Sequence, residues 1–186
     1  MSIKVILETH KKNMDKALDH LKLELRGVRT GRASTGLVEH LRVEYYGNPT
    51  PLNQLAALSV SEASSILIKP FDPACLKDIE KAIRTSDLNL SPNSDGKVIR
   101  LNIPPLSEER RKQLVHQVKS MGEQVKISIR NVRRDGIKHI EDEEKQKRIS
   151  EDDRDKGKKE VENYTKDYIA KIDEVIRVKS DEVMKE

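Results

Sequence analysis

The chain has 186 residues, of which 37% are charged and 3% aromatic, and its net charge is +4. This composition argues against one thick globular core and favours long amphipathic helices, in one domain or two modest ones. The only cysteine, Cys75, has no partner for an internal disulfide, and no apolar run approaches the roughly 20 residues that cross a bilayer. We therefore expect a cytoplasmic protein that is neither exported nor embedded in a membrane.

Three long amphipathic helices are predicted. The first covers 5–29, with apolar residues three and four apart, and Gly31 is its expected stop signal. The second begins at Ser107 and the third at Ser150, because each hydroxyl can cap free backbone N–H groups ahead of acidic residues. Gly136 predicts a local bend in the second helix. One apolar stripe on each helix predicts a three-helix bundle, with disorder as the competing interpretation for the chain ends and 141–159.

The passage between the first two helices is β-rich. Residues 41–46 alternate like a strand, 47–49 read as a turn, and further strands are expected at 55–60, 65–70 and 97–103. A short helix over 73–86 follows Asp72, which can cap it. The predicted fold class is α+β, with a β/α/β sandwich domain at 31–105 inserted into a helical domain formed by 1–30 and 106–186.

An inserted domain needs two linkers, and their composition predicts a hinge at 30–32 and 104–106. Glycine permits unusual backbone angles, whereas paired prolines confine bending to a few bonds. The alternative is that Gly31 only caps a helix and the prolines only end a strand, with the two domains locked together. The candidate hinge residues are Thr30, Gly31, Arg32, Pro104 and Pro105.

The second helix carries a cationic stripe. Lys112, Lys119, Lys126 and Arg133 lie seven residues apart and so face one way over about 30 Å. Segment 108–134 holds eight basic residues against three acidic ones, a net charge of +5, which exceeds that of the whole chain. Arg130 and Arg134 add to its last turn. The stripe predicts contact with a phosphate backbone, and the alternative is a solvated helix face.

No catalytic or cofactor motif is recognisable. Neither Gly-x-x-x-x-Gly-Lys-Ser/Thr nor Gly-x-Gly-x-x-Gly occurs, and the five histidines have no metal-ligand spacing. His10 and His20 are interpreted as solvated residues of a helix surface. The acidic runs at 141–144 and 151–153 are interpreted as caps and solvated ends. We therefore expect no enzyme activity, no metal and no cofactor.

Several segments resemble the bacterial ribosome recycling factor family, in the right order and over essentially the whole chain. They include Arg-Thr-Gly-Arg-Ala-Ser at 29–34, Val-Glu-Tyr-Tyr-Gly at 43–47, Pro-Pro-Leu at 104–106 and Arg-Asn-Val-Arg-Arg-Asp at 130–135. The resemblance implies an L-shaped monomer with a flexible elbow that binds between the ribosomal subunits after termination. It also implies that elongation factor G and its GTP drive subunit separation, with no membrane or small-molecule substrate involved.

The resemblance assigns the bundle arginines to large-subunit rRNA. In this sequence they are Arg29, Arg110, Arg130, Arg133 and Arg134, and the stripe adds Lys119 and Lys126 as steering charges. The same family pattern assigns the elbow to the candidate hinge residues. Two other classes stay open from the residues alone: a helical scaffold or chaperone that binds proteins, and a non-specific nucleic-acid-binding protein.

Overall fold

The structure, a computed structural model, describes residues 2–185. Its helices are α1 (Ile3–Arg26), α2 (Leu52–Leu55), α3 (Leu76–Thr85), α4 (Glu108–Lys145) and α5 (Glu151–Met184). Its strands are β1 (Arg42–Tyr45), β2 (Asn48–Pro51), β3 (Ala56–Glu62), β4 (Ser65–Pro70), β5 (Pro92–Ser94) and β6 (Ile99–Asn102). The α+β class is confirmed, with long helices before and after a region of short strands.

The chain divides into two compact units. The first comprises Met1–Leu25 and Val115–Asp181, and the second comprises Arg26–Leu114 and Glu182–Glu186. The first unit is built from α1, α4 and α5, whereas the second contains all the strands together with α3. The domain limits expected near 30 and 106 stay a prediction.

Glycines bring the three helices of the first unit close together. A Cβ atom added at Gly122 of α4 would lie 2.7 Å from Cγ1 of Ile176, and one added at Gly157 of α5 would lie 2.6 Å from Cδ1 of Ile3. At Gly136 of α4 the nearest atom would be Cγ of His10, at 3.2 Å. Each pair of helices thus contains one such close approach, and the predicted three-helix bundle is confirmed. At Gly136 the missing side chain makes room for a residue of α1, and α4 continues through it.

Local capping fixes the starts of the two longest helices, as predicted. The hydroxyl of Ser107 accepts a hydrogen bond from the backbone N–H of Arg110 at 3.2 Å. That of Ser150 accepts from the N–H of Asp153 at 3.1 Å and donates to its carboxylate at 2.8 Å. The predicted stop of α1 at Gly31 is wrong. The helix ends at Arg26, because Gly27, a poor helix former, comes next.

The second unit is organised around an antiparallel four-stranded sheet of order β3-β4-β6-β5. Alternate residues of its central strands are buried, including the cross-strand pairs Ile66–Leu101 and Ile68–Ile99. On α3, Ile79 and Ile83 belong to the same hydrophobic core, four residues apart and therefore on one helix face. The strands expected at 41–46, 55–60, 65–70 and 97–103 are confirmed as β1, β3, β4 and β6.

The hairpin formed by β1 and β2 turns one residue earlier than predicted. Its two central residues are Tyr46 and Gly47, with φ of 48° and 79°, whereas Asn48 and Pro49 already belong to β2. The sequence pattern missed β2 and β5 because they contain prolines, which lack a backbone N–H and argue against a strand. Each of these two strands pairs with only one neighbouring strand. They are therefore edge strands, in which proline is tolerated.

His10 is buried, so its interpretation as a solvated residue is wrong. The residue is 8% exposed, and its ring centroid lies 5.9 Å from that of His139 in an edge-to-face arrangement. Neither ring nitrogen has a hydrogen-bond partner among residues 2–185. Burial first, and the neighbouring His139 second, lower the pKa of His10, and Asp135 partly opposes this shift. The folded bundle therefore favours the neutral form of His10.

This burial makes the stability of the bundle dependent on pH. Above the ordinary histidine pKa of 6.5, His10 is neutral in both states and the free energy of unfolding is unaffected. As the pH falls below that value, the unfolded chain takes up a proton that the folded chain resists, so stability is lost down to the folded-state pKa. We expect His10→Leu to have a shallower loss than the wild type in denaturant titrations between about pH 7.5 and 5.

His20→Leu is the matched control, because His20 lies exposed on the same helix, 3.4 Å from Glu24. This variant retains His10 and should therefore keep the loss of stability that His10 causes. If His10→Leu has the same slope as His20→Leu, protonation of His10 is not coupled to unfolding.

Candidate nucleic-acid interface

Three basic side chains of the first unit project from α4 into solvent. At about 100° per residue, Arg130 and Arg134 lie roughly 20° and 60° around the helix from Lys119. All three are exposed. Within residues 2–185 no carboxylate pairs with any of them. They form a set of unneutralised cations on one side of α4, which we call the free cationic edge.

The other side of the predicted stripe is neutralised by carboxylates. Lys126 places its Nζ 2.6 Å from Asp173 and 2.9 Å from Glu123, and the hydrogen bonds to Asp173 and then Glu123 raise its pKa. Arg133 lies 2.9 Å from Glu162, and its buried Nε has no partner in the described chain. Both cations sit toward α5, so only part of the heptad stripe is available to an external anion.

A groove of 630 Å³ runs between α4 and α5 beside these pairs. Ile176 and Gly122 line it, together with the paired Lys126 and Asp173. Lys119, from the free cationic edge, also lines this groove. The close approach of the two helices thus determines which basic residues face carboxylates and which face solvent.

Two further candidate residues, Arg29 and Arg110, lie near each other in the second unit. Burial first, and the positive charge of Arg110 second, lower the pKa of Arg29. Arg29 donates a hydrogen bond to the backbone carbonyl of Pro104, while its buried Nε lacks a partner in the described residues. Arg110 is exposed and donates to the Gln113 side chain at 3.0 Å. Within residues 2–185 neither arginine pairs with a carboxylate, and two such close cations would be stabilised by a bound anion.

The candidate hinge residues lie in two segments that a hydrogen bond joins. The bond from Arg29 to the Pro104 carbonyl links the first segment to the second. Within the first, the Thr30 hydroxyl accepts from the N–H of Arg32 at 3.3 Å. Gly31 does not occupy the left-handed region, which among the described glycines is used by Gly47 and Gly96. Bending at these segments stays a prediction.

Sequence reasoning missed the carboxylates that pair with the stripe. Glu123 lies three residues before Lys126, so this contact could have been found from helical spacing. Glu162 and Asp173 come from α5, and their positions depend on how α5 aligns with α4. Nothing in the local sequence fixes that alignment, although the glycine at 122 was a signal of close helix packing.

Removing one of the two carboxylates that pair with Lys126 should strengthen binding to polyanions. We expect Asp173→Asn to elute from immobilised heparin at higher salt than Asp167→Asn, although both substitutions remove one negative charge. Asp167 is the matched control because it is exposed on the same helix and forms no ion pair within residues 2–185. Equal shifts for the two variants would mean that overall charge, not the release of Lys126, governs anion binding.

Two features are absent from the described residues. Among residues 2–185, no three His, Cys, Asp or Glu side chains are grouped so that they could hold a metal ion. In the same range, no helix combines the length and apolar character needed to span a membrane.

The chain is similar to known proteins over nearly its full length. A family model described as "Ribosome recycling factor" matches residues 21–184. A ribosome-recycling factor of Desulfosudis oleivorans is 46% identical over 182 residues, which cover 98% of each chain. A solution structure of the ribosome recycling factor is 40% identical with a TM-score of 0.76, covering 99% of this chain and 98% of that one.

A second solved structure contains a relative together with other components of translation. It contains models of the T. thermophilus ribosome recycling factor and E. coli elongation factor G, bound to the E. coli post-termination complex. The similarity has a TM-score of 0.68 with 39% identity and covers 100% of both chains.

Proposed function

The chain belongs to the ribosome recycling factor family, and on that premise we propose that it acts in the cytoplasm, as a monomer, on the post-termination ribosome. In this proposal it binds between the subunits with its basic helix face on large-subunit rRNA. Elongation factor G and GTP then promote subunit dissociation together with it. The relative bound with elongation factor G to a post-termination complex supports this choice of partners.

The observation that carries the rRNA contact is the free cationic edge. Arg130 and Arg134 lie four residues apart, and both are exposed without an ion pair in residues 2–185. Guanidinium groups bind phosphate oxygens in a bidentate manner. Because neither arginine must first give up a carboxylate, the full attraction to phosphate is available for binding. Lys126, in contrast, would have to release Asp173 and Glu123.

The contact should involve phosphates and RNA shape more than bases. Stacking on splayed bases relies mainly on the rings of Phe, Tyr and Trp, and α4 contains none of these over Glu108–Lys145. The pair of Arg29 and Arg110 supports a further phosphate contact, because a bound anion would relieve their mutual repulsion. Arg133, held by Glu162, is proposed to position its neighbours Arg130 and Arg134 and to contribute charge.

The proposed role is mechanical and requires no chemistry by the chain itself. The basic helix face is the anchor. The sheet-containing unit, joined through 30–32 and 104–106, is the part on which elongation factor G acts. Bending at these two segments would convert that action into separation of the subunits.

Removing one arginine of the free cationic edge should weaken ribosome binding and its salt dependence. We expect Arg130→Ala and Arg134→Ala each to reduce co-sedimentation with ribosomes several-fold. Each should also flatten the plot of log affinity against log salt by about one unit or slightly less, the slope of one phosphate contact. Circular dichroism should show unchanged helicity, since both side chains lie in solvent.

Arg177→Ala is the control, because Arg177 is also exposed but is paired with Glu174 and Asp181 on α5. Its salt slope should equal that of the wild type. Unchanged slopes for both α4 variants would refute the anchor. Binding that persists without rRNA would favour a protein scaffold, and equal affinity for arbitrary duplex DNA would favour a non-specific nucleic-acid-binding protein.

The hinge is tested by Gly31→Ala. Its Cβ would have the Lys185 carbonyl oxygen as nearest neighbour at 3.9 Å, so alanine fits. Because Gly31 does not need a left-handed backbone, the substitution should raise the free energy of unfolding by about 0.4–1 kcal/mol. Ribosome binding should be retained and the rate of subunit splitting should fall.

Gly96→Ala is a control that should change stability in the opposite direction. Gly96 has a φ of 90°, so alanine there should lower stability without slowing splitting. A Gly31→Ala variant that splits ribosomes at the wild-type rate would contradict a hinge at this residue.

A further inference from the structure

The β1–β2 hairpin, the first turn of α3 and the residues just before it line a cavity of 340 Å³ in the second unit. Glu44, Tyr45, Tyr46 and Gly47 line one side, and the other side is lined by Ala74, Cys75 and Asp78. We propose that this cavity receives an arginine or lysine side chain presented by a protein partner. The inference rests on the proposed function, since it assigns the surface through which the sheet-containing unit meets a protein during recycling.

The cavity has a negative lining. Glu44 and Asp78 are exposed, and within residues 2–185 no cation pairs with either carboxylate. Among the described residues that line the cavity, none is basic. Burial first, and the nearby Asp72 second, raise the pKa of Tyr45, so its hydroxyl stays protonated and adds no charge to the lining. A cationic side chain would therefore be attracted, whereas a phosphate would be repelled.

An exposed aromatic ring stands at the rim. Tyr46 is 79% exposed, and its ring centroid lies 4.6 Å from that of Tyr45, at an interplanar angle of 74°. Guanidinium and ammonium groups bind favourably over such ring faces. Tyrosine and arginine are also the residues most often found at the energetic centre of protein interfaces. The tyrosine ring can stack on the planar face of a guanidinium group. The carboxylates can accept hydrogen bonds from the N–H groups at its edge.

Folding alone does not favour a tyrosine at this position. Tyr46 has a φ of 48° and precedes Gly47 at 79°, a pair of positive angles in which asparagine or glycine is preferred. An unfavourable backbone conformation is retained most often where the side chain has a role. The conformation holds the ring at the tip of the hairpin, above the cavity.

The negative lining of the cavity favours a protein side chain over RNA as the occupant. The residues proposed to bind RNA are basic and lie elsewhere, at the free cationic edge and at Arg29 and Arg110. A cavity of 340 Å³ is at the lower end of the usual size of ligand pockets, which suits one long side chain. The partner accordingly presents an exposed arginine or lysine.

Tyr46→Asn separates a binding role from a structural one. Asparagine tolerates a positive φ, so the variant should resist denaturant at least as well as the wild type. We expect the full chain with this substitution to lose several-fold in ribosome co-sedimentation or in elongation factor G-dependent splitting. Loss of co-sedimentation would place the partner on the ribosome, and loss of splitting alone would indicate elongation factor G. Wild-type values in both assays would overturn the proposal.

The carboxylates are tested by the double variant Glu44→Gln/Asp78→Asn. Its matched control is Glu62→Gln/Asp87→Asn, which removes two exposed charges of the same unit outside the cavity. The first variant should reproduce the loss seen for Tyr46→Asn, and the control should not. Equal effects of the two double variants would mean that net charge, and not the cavity, is responsible.

A small ligand can test the charge preference of the cavity without ribosomes. Amide resonances of Tyr46, Gly47 and Asp78 in the full chain should shift on addition of N-acetyl-arginine amide. The shifts should be at least tenfold weaker with the uncharged analogue N-acetyl-citrulline amide. Equal shifts with both, or shifts with inorganic phosphate instead, would overturn the proposal. If the wild-type chain fails to bind ribosomes while the arginine probe still binds, the proposed function fails and the cationic specificity of the cavity stands.

Discussion

The close approach of α4 and α5 at Gly122 and Ile176 is the constraint on which the charge pattern of the bundle depends. Ile176 occupies the space where a Cβ at position 122 would be, at 2.7 Å. At that separation, carboxylates of α5 reach basic residues on the near side of α4, as the pairs Lys126–Asp173 and Arg133–Glu162 show. A bulkier residue at 122 would push the helices apart and weaken these pairs. The packing of α4 against α5 therefore also determines which ion pairs form between these two helices.

These ion pairs divide the basic residues of α4 into neutralised and unpaired ones. Lys126 is largely covered, with a side chain 15% exposed, and is neutralised by two carboxylates. Arg130 and Arg134 keep their full charge in water. A phosphate gains more from an unpaired arginine than from a lysine that must release its partners first, because the lost ion pairs offset part of the new attraction. Counting basic residues in a sequence therefore overstates the number of available anion contacts.

Features that depend on neighbouring residues were predictable, and features that depend on helix alignment were not. Ser107 and Ser150 cap helices through atoms three residues away, so their role can be read locally. His10 continues the buried spacing of Ile6 and Met14, and only its polar character led to the wrong prediction. The pairing of Arg133 with Glu162 depends on the contact between distant segments. Likewise, Tyr46 adopts a turn conformation that residue preferences oppose, and the cavity beneath it could not be anticipated.

Opposite charges on different surfaces limit which of these surfaces can bind phosphate. The free cationic edge attracts phosphate, whereas Glu44 and Asp78 at the hairpin cavity repel it. Acidic residues also follow the basic segment of α4 at 141–144, where Lys158 binds Glu141 at 2.6 Å. An arrangement that brought either acidic region against phosphate would lose attraction and add repulsion. For the proposed function, the distribution of charge, more than its small net value of +4, therefore favours the basic helix face, and neither acidic region, as the surface for RNA.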